Sequence, residues 1–424
     1  MKTTIKLALL ALGLSFGVQA QQDRNLDNFR QPDQRGINVF EDPKDEKSTF
    51  DGVKVRIGGA STLQYQALEH QNSGAVPLIA IGNNFNLATA NLDLDVALYH
   101  GVRMHLRTYL SSRHHPEPYV KGGYILIDRL DFIKENFAEN LMKYVTFKFG
   151  HMEINYGDAH FRRTDNAQAI YNPFVGTYIL DDFTTEVGME IYYRRNGFIG
   201  MFGVTNGKLN QGANAPSATS PSIVAKIGYD KQINDDFRLR LTGSMYQSAQ
   251  SARTYLFGGD RAGSRYYFVM EPTNATSAGN FSSGLVNPGL TNKLNAIMIN
   301  PFLKYKGLEF FGMYETISGR TTAETERRNW SQISGELLYR FGKEDKFYVA
   351  GRYTTVDGTL AATQTVAKTD ISVSRFQMAA GWFLTKNILT KIEYVSQKYN
   401  DYPTNSILRD GKFNGFTAEA VISF

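Results

Sequence analysis

Apolar and polar residues alternate along most of the chain, beginning near residue 53. Val53, Val55 and Ile57 are separated by charged residues. The segments 91–99 and 102–111 repeat the same pattern. Successive side chains of a β-strand point to opposite faces, so a period of two predicts strands with one apolar and one polar face.

Continued along the chain, the alternation predicts about sixteen strands, an even number. Tight connections such as Asn196-Gly197, a favoured two-residue hairpin turn, alternate with long polar loops such as 155–183 and 249–292. Short turns on one rim and long loops on the other are typical of outer-membrane barrels. The predicted strands are 53–67, 82–99, 102–111, 121–131, 142–154, 184–195, 198–205, 222–231, 236–248, 293–305, 307–319, 330–341, 345–357, 371–384, 388–399 and 413–424.

Cross-strand partners must share a face, which tests the predicted turns. A three-residue loop at 100–102 places Asp95 opposite Arg107 on the polar face. The Asn-Gly turn places Tyr193 opposite Gly200. Both pairings are consistent with an up-and-down antiparallel sheet.

Length and composition separate a membrane barrel from its alternatives. The 424 residues are 42% hydrophobic and 13% aromatic, which excludes a disordered chain. Beyond residue 20 there is no apolar run of about 18 residues, so a bundle of transmembrane helices is also excluded. A soluble sandwich or β-solenoid would alternate too, but its strands average about five or six residues. The strands here are about ten residues or longer, as in tilted strands that cross a bilayer.

Lipid cannot hydrogen-bond a free sheet edge, so such strands must close into a ring. The sequence therefore predicts an all-β fold, a transmembrane antiparallel β-barrel over residues 51–424 with short periplasmic turns and long extracellular loops. Aromatic residues near strand ends are predicted to form girdles at the membrane interfaces: Tyr99, Tyr109, Tyr305, Tyr339, Phe341 and Phe413.

The two ends of the chain carry further signals. Residues 1–20 have two lysines before an apolar stretch and small residues at the end, as in a secretory signal peptide. Its removal takes two lysines and brings the formal charge from +5 to +3; the remaining basic residues are dispersed, which gives no support for a nucleic-acid partner. Residues 21–50 are polar and aperiodic, and predict a periplasmic extension that could be a linker, a periplasmic contact or a partial plug. The terminal Phe424 follows an alternating strand and resembles the assembly signal of outer-membrane proteins.

Taken together, these features resemble the outer-membrane porin superfamily, and most closely the phosphate-selective porins of the O and P type. The stretch KFGHMEINYGDAHFRR, residues 148–163, carries the sequence resemblance. The resemblance implies a Gram-negative outer-membrane location, a homotrimer, and a third long loop folded into the pore.

The third long loop, 155–183, is the candidate constriction. Arg162 and Arg163 lie near one of its ends and Asp181 and Asp182 near the other, so the four charges could set a transverse field across the opening. The inward face of the wall is predicted to line the pore, and basic residues lead on it by a modest margin, which favours a weak anion preference. Its candidate residues are Lys54, Arg56, Asp93, Asp95, Arg103, His105, Arg107, Arg238 and Arg240.

The predicted function is a porin that passes small hydrophilic solutes or anions through a water-filled channel within outer-membrane lipid. The alternative is a scaffold or surface-interaction barrel with a plugged lumen, in which loop 249–292 would be the partner site. Catalysis is not predicted. The seven histidines lack the spacing of metal ligands, so neither a metal nor a cofactor is expected.

Overall fold

Sixteen antiparallel strands close into one barrel in the part of the chain that the computed structural model describes, residues 26–114, 117–207, 220–251, 253–363 and 367–424. Each strand pairs with its sequence neighbours, and the first pairs with the last. The predicted fold class is thereby confirmed; the predicted signal peptide falls outside the described residues. The strands are β1 Lys54–Gln71, β2 Asn84–Tyr99, β3 Val102–Tyr109, β4 Tyr119–Ile127, β5 Val145–Glu153, β6 Thr185–Arg195, β7 Phe198–Thr205, β8 Ser222–Gln232, β9 Phe237–Ser248, β10 Lys293–Tyr305, β11 Leu308–Arg320, β12 Arg328–Phe341, β13 Phe347–Leu360, β14 Thr369–Thr385, β15 Ile388–Asn400 and β16 Lys412–Ser423.

Helical structure is confined to short turns in the described residues. One α-helical turn, α1 (Glu139–Met142), lies in the β4–β5 connection. No helix in these ranges is long and apolar enough to cross a membrane. The 3-10 turns are Gln34–Gly36, Ser112–His114, Ala159–Arg162 and Lys343–Asp345.

The alternation of each strand is inside-out compared with a soluble protein. In β12, Glu336 and Arg340 are only 3% and 5% exposed, whereas Ile333 and Leu337 are 53% and 56% exposed. Charged side chains thus face the lumen and apolar ones face outward. This arrangement suits a barrel surrounded by acyl chains.

The two rims differ as the sequence predicts. At one end, the short-turn rim, tight turns join β2 to β3, β6 to β7 and the later pairs, and the chain ends there too. The β4–β5 connection, residues 128–144, also lies at this rim and is longer, because it contains α1. Eight longer connections form the long-loop rim: L1 72–83, L2 110–118, L3 154–184, L4 206–221, L5 249–292, L6 321–327, L7 361–368 and L8 401–411.

The predicted aromatic girdle is correct only in part. Tyr109 and Phe413 are fully buried, because their positions in β3 and β16 put them on the lumen face, where they contact L5. The other four predicted girdle residues are exposed near the short-turn rim: Tyr99, Tyr305, Tyr339 and Phe341.

The predicted register is correct at one turn and wrong at another. Tyr193 pairs with Gly200 across the β6–β7 turn, as predicted. Across β2–β3, however, Asp95 pairs with His105, and Arg107 pairs with Asp93. A bulge near Leu98 and a two-residue turn shift the register by two positions, which keeps every side chain on its predicted face.

Candidate functional site

Three segments turn into the lumen and fill much of it. They are residues 26–50, L3 and L5, and each contributes to one buried cluster that includes Phe40, Ile179 and Val269. The sequence leaves the role of 21–50 open and predicts L5 as an extracellular loop. The structure places the described parts of both in contact with inward-facing wall residues.

L3 lies against the wall formed by the later strands. The Lys391 ammonium of β15 donates to the carbonyls of Ala169, Asn172 and Phe174 at 3.0, 3.1 and 2.8 Å. The Arg375 guanidinium of β14 donates to the Thr177 carbonyl at 2.7 Å. These bonds satisfy the backbone of an irregular buried segment, which has no strand partner of its own.

L5 is held by polar groups on both sides of the barrel seam. The Gln66 amide of β1 donates to the Tyr267 carbonyl at 2.9 Å. The Tyr266 hydroxyl donates to Glu393 of β15 at 2.6 Å. L5 has no strand in its described residues, so the hairpin that its length would allow does not form. Its one sequence signal is the aromatic run Tyr266-Tyr267-Phe268, which is unusually apolar for an exposed loop.

The opposite wall, from β1 to β6, borders a cavity of about 170 Å³. The N-terminal segment closes it on one side and L3 on another. Seven basic and five acidic residues line it, and two histidines join them: Arg30, Arg56, Arg103, Arg107, Lys121, Lys148 and Arg194; Glu41, Asp42, Asp93, Asp95 and Glu153; His105 and His160.

Six of the nine predicted pore-lining residues border this cavity, as a chain of ion pairs. Asp95 lies 3.0 Å from Arg56 and 2.7 Å from His105. Asp93 receives two hydrogen bonds from Arg107, at 2.7 and 2.8 Å. The sixth residue, Arg103, pairs with a carboxylate of the N-terminal segment.

The other three predicted lining residues do not border this cavity. Lys54 pairs with the exposed Asp51 at the short-turn rim. Arg238 pairs with Asp230 at 2.7 Å. Arg240 is fully buried between carboxylates of L3 and of the N-terminal segment.

The four predicted constriction residues are buried in the lumen, and none of them borders the cavity. Arg163 and Asp181 form a direct ion pair at 2.5 Å, so the predicted separation of these two charges across an opening is wrong. Arg162 lies 3.2 Å from Glu336 on the wall. The two ends of L3 meet because the loop folds back on itself within the barrel.

Burial changes the acidity of the L3 carboxyls. Burial, together with the neighbouring charge of Asp181, raises the pKa of Asp182 to about 7. Burial and the nearby Asp260 raise the pKa of Asp165 to about 6. Burial opposes ionisation of Asp158 as well, but the adjacent Arg240 and Lys226 outweigh it and hold that pKa well below its ordinary value.

The last residue closes the ring. The backbone N–H of Phe424 donates to the Gly59 carbonyl, and the Gly59 N–H donates to the Phe424 carbonyl, both at 3.0 Å. Its ring is 51% exposed on the outer surface. The predicted role of Phe424 as an assembly signal stays a prediction.

A closed sixteen-stranded barrel with inward charges and an inward-folded third loop is the fold of the outer-membrane porins. No protein-family model matches the chain, and no curated protein does either. Similar solved structures include an anion-selective porin from Comamonas acidovorans, with 9% identity and a TM-score of 0.54 over 88% of this chain and 100% of that one.

Two further structures show the same fold. The outer-membrane channel DcaP of Acinetobacter baumannii has 11% identity and a TM-score of 0.55, covering 89% of this chain and 99% of that chain. OmpT of Vibrio cholerae, in its trimer form, has 10% identity and a TM-score of 0.52, covering 88% of this chain and 100% of that chain. The similarity therefore extends over nearly the whole barrel.

Proposed function

We propose that this protein is an outer-membrane porin, a channel for passive diffusion of small hydrophilic solutes. The observation that carries the proposal is the inverted wall, with charged residues facing a cavity inside a closed, apolar-coated barrel. Unpaired charges are costly in a dry interior, and a water-filled pathway would solvate them. The fold shared with known porins supports the same conclusion.

A weak preference for anions is the second part of the proposal. Seven basic residues face five acidic ones around the cavity. Arg103 and Arg107 lie on its wall, and their guanidinium groups suit carboxylate or phosphate groups of a solute. The carboxylates interspersed among them argue for a general anion preference rather than a dedicated phosphate site.

Planar-bilayer recordings test both parts. Purified protein should give discrete conductance steps, with a reversal potential of the anion-selective sign in a KCl gradient. Arg103→Ala with Arg107→Ala should shift the reversal potential toward cation selectivity. Arg195→Ala is the matched control, because Arg195 is exposed on the outer face of β6 and should leave selectivity unchanged. A cation-selective reversal potential of the unaltered protein would reject the anion preference.

L3 is proposed to narrow the pore by occupying one side of it. Arg162 would hold the loop to Glu336 of the wall, and the Arg163–Asp181 pair, next to Asp182, would hold the two ends of the loop together. Replacing Arg162 and Arg163 by alanine should enlarge the single-channel conductance. An unchanged conductance in a folded variant would remove these residues from the constriction.

A homotrimer is proposed from the porin resemblance. The outer face near the seam carries a groove lined by small residues such as Ala380, Gly381, Ala418 and Ala420, between aromatic flanks. Small residues let two barrels approach closely. Mass measurement of the detergent-solubilised protein by light scattering should give three chains, and a single chain would overturn this part.

A barrel with a closed lumen, serving as a scaffold or surface-interaction protein, is the second candidate. The filling of the lumen by residues 26–50, L3 and L5 favours it. Such a barrel would give no conductance steps, even after the N-terminal segment is removed. Bilayer recordings on a folded variant that lacks residues 26–50 therefore decide between the two candidates.

A further inference from the structure

The N-terminal segment, residues 26–50, crosses the entire mouth of the barrel at the short-turn rim. At one side, the Asn28 amide donates to Asp128, just after β4, at 3.1 Å. At the other, the Gln34 backbone N–H donates to the Lys386 carbonyl in the β14–β15 turn at 2.8 Å. The Gln34 side chain also reaches the carbonyl of Glu344 in the β12–β13 turn at 2.8 Å. In a ring of sixteen strands, β4–β5 and β12–β13 are diametrically opposed, so the segment spans the opening.

The segment then returns across the lumen and contacts inward-facing wall residues. The Asn38 amide donates to Glu309 of β11 at 2.8 Å. Lys44 pairs with Asp128 at 3.0 Å, back at the starting side. The result is a loop laid across the mouth twice, beneath L3.

Two carboxylates of the segment form ion pairs with basic side chains of the wall. Glu41 pairs with Arg240 of β9 at 2.8 Å. Asp42 pairs with Arg103 of β3 at 2.6 Å, and its backbone carbonyl accepts from Arg194 of β6 at 2.6 Å. Burial opposes ionisation of Glu41, but Arg240 and Lys226 lower its pKa to about 2, so it is ionised at neutral pH.

The segment is not part of the sheet. Residues 26–50 form no β-pairing with the wall, and their contacts are mainly hydrogen bonds and ion pairs to side chains and turn carbonyls. Phe40 is an apolar anchor, packed on Phe161 of L3 and on Phe302 of β10. Water and small ions can replace polar contacts of this kind, whereas they cannot replace a strand of the barrel.

The segment also changes the charge of the mouth. It carries six acidic and four basic residues, a net charge of −2. Without it, Arg103 would lose the one carboxylate that it contacts in the described residues, and Arg194 has no carboxylate partner there even now. The exposed mouth would then present a cluster of guanidinium groups, which is suited to a solute carboxylate or phosphate.

We propose that residues 26–50 are a displaceable plug, whose Glu41 and Asp42 occupy an anion-binding site of the barrel wall, so that small anions cross the mouth only when the plug leaves. This inference rests on the proposed channel function. It assigns the segment a gating role and assigns Arg103, Arg194 and Arg240 to the site that the plug covers.

Bilayer recordings on four proteins test the plug. They are the unaltered protein, a variant lacking residues 26–50, the variant Glu41→Gln with Asp42→Asn, and the control Glu46→Gln with Asp51→Asn. The control also removes one glutamate and one aspartate charge, but from exposed positions. Each protein is first checked for a folded barrel by its heat-dependent mobility on gels.

If residues 26–50 are a displaceable plug, the deletion should raise the open probability of the channel several-fold, Glu41→Gln with Asp42→Asn should raise it to an intermediate level, and the control should not change it. The deletion should also move the reversal potential toward anions, and adding Arg103→Ala and Arg194→Ala to it should reverse that shift. Equal open probability of the unaltered and deleted proteins would overturn the plug while leaving the channel function in place. Silence of every folded variant would overturn the channel function and the plug together.

A reversible lock provides an independent test that does not shorten the chain. The protein contains no cysteine, so Gln34→Cys with Lys386→Cys introduces one possible disulfide between the segment and the opposite turn. The oxidised variant should stay at low conductance, and a reductant should restore the openings of the unaltered protein. Full conductance in the oxidised, cross-linked state would contradict the plug.

Discussion

Single buried side chains hold the irregular segments of the lumen in place. Lys391 is the clearest case, because its ammonium donates to three carbonyls of L3 and also lies 3.1 Å from Glu419. A loop that lacks a strand partner depends on such groups to satisfy its backbone. Substitution of such a wall side chain should therefore lower the local stability of L3.

Lys391→Met should loosen L3 without opening the barrel. The substitution leaves three buried carbonyls without their donor, a loss of about 2 kcal/mol or more, equivalent to roughly 30-fold faster local opening. Hydrogen exchange of residues 167–180 would measure it. Lys398→Met is the control, since Lys398 is exposed on the same strand. Equal exchange in both variants would show that Lys391 does not hold the loop.

Asp182 should make L3 sensitive to pH. Burial and Asp181 raise its pKa to about 7, so the folded loop retains a proton that the unfolded chain releases near pH 4. The stabilisation is fully present below about pH 4 and is lost as pH rises through about 7. The positive charge of Arg163 acts to lower the pKa of Asp182. Glu315 of β11 interacts with Asp182 as a like charge.

Hydrogen exchange of residues 177–184, corrected for intrinsic rates, should therefore show stronger protection at about pH 5 than at about pH 8. Asp182→Asn should remove most of this difference. Asp401→Asn, which alters an exposed carboxylate of L8, should leave it intact. The same pH difference in Asp182→Asn and in the unaltered protein would assign the effect to another group.

At the level of elements, the two inward loops support each other. Gly176 of L3 lies so close to Tyr266 of L5 that a methyl group at Gly176 would overlap the tyrosine hydroxyl. That hydroxyl in turn donates to Glu393, which also accepts from the Val175 N–H at 2.8 Å. L3 and L5 therefore share one anchor on β15.

Gly176→Ala should separate L3 from L5. Limited trypsin digestion at Arg261 of L5 should become several-fold faster, because the Tyr266 anchor has to move. Gly243→Ala is a matched control, since a methyl group there would have no neighbour within 4 Å. Equal digestion rates would show that the two loops are held independently of each other.

For the whole molecule, closure of the ring is the decisive step. Ala60 pairs with Ser423 across the seam, and Phe424 adds two backbone hydrogen bonds to Gly59 beyond it. A barrel with an open seam would expose unpaired backbone groups to lipid. Loss of even one residue at the seam should therefore lower the yield of folded barrel.

Deletion of Phe424 should lower the folded fraction several-fold during refolding into detergent micelles, because both seam bonds are lost. Phe424→Leu keeps those bonds and an apolar side chain, so it should refold more fully. Heat-dependent gel mobility measures the folded fraction. Equal yields would show that closure does not depend on the terminal residue.

Periodicity was sufficient to predict the barrel but not the contents of its lumen. Alternation fixes the face of each side chain, so Arg56, Asp93 and Arg107 could be assigned to the lumen from the sequence. The bulge beside Leu98 could not be predicted from the sequence, because it shifts the register without disturbing the alternation. The inward positions of 26–50 and L5 depend on isolated polar contacts between residues up to about 300 positions apart, such as Gln34 with Glu344, and such contacts leave no local pattern.

The β1–β16 pairing also determines when this polypeptide can acquire its shape. β2 to β15 all lie between the two strands of the seam in the sequence, so they are translated before the last neighbour of β1 exists. Long-range pairing of this kind is slow, and half-built sheets aggregate readily. The edges of β1 and β16 stay unpaired until then, and we expect holdase chaperones to bind the alternating segments of the unfinished chain.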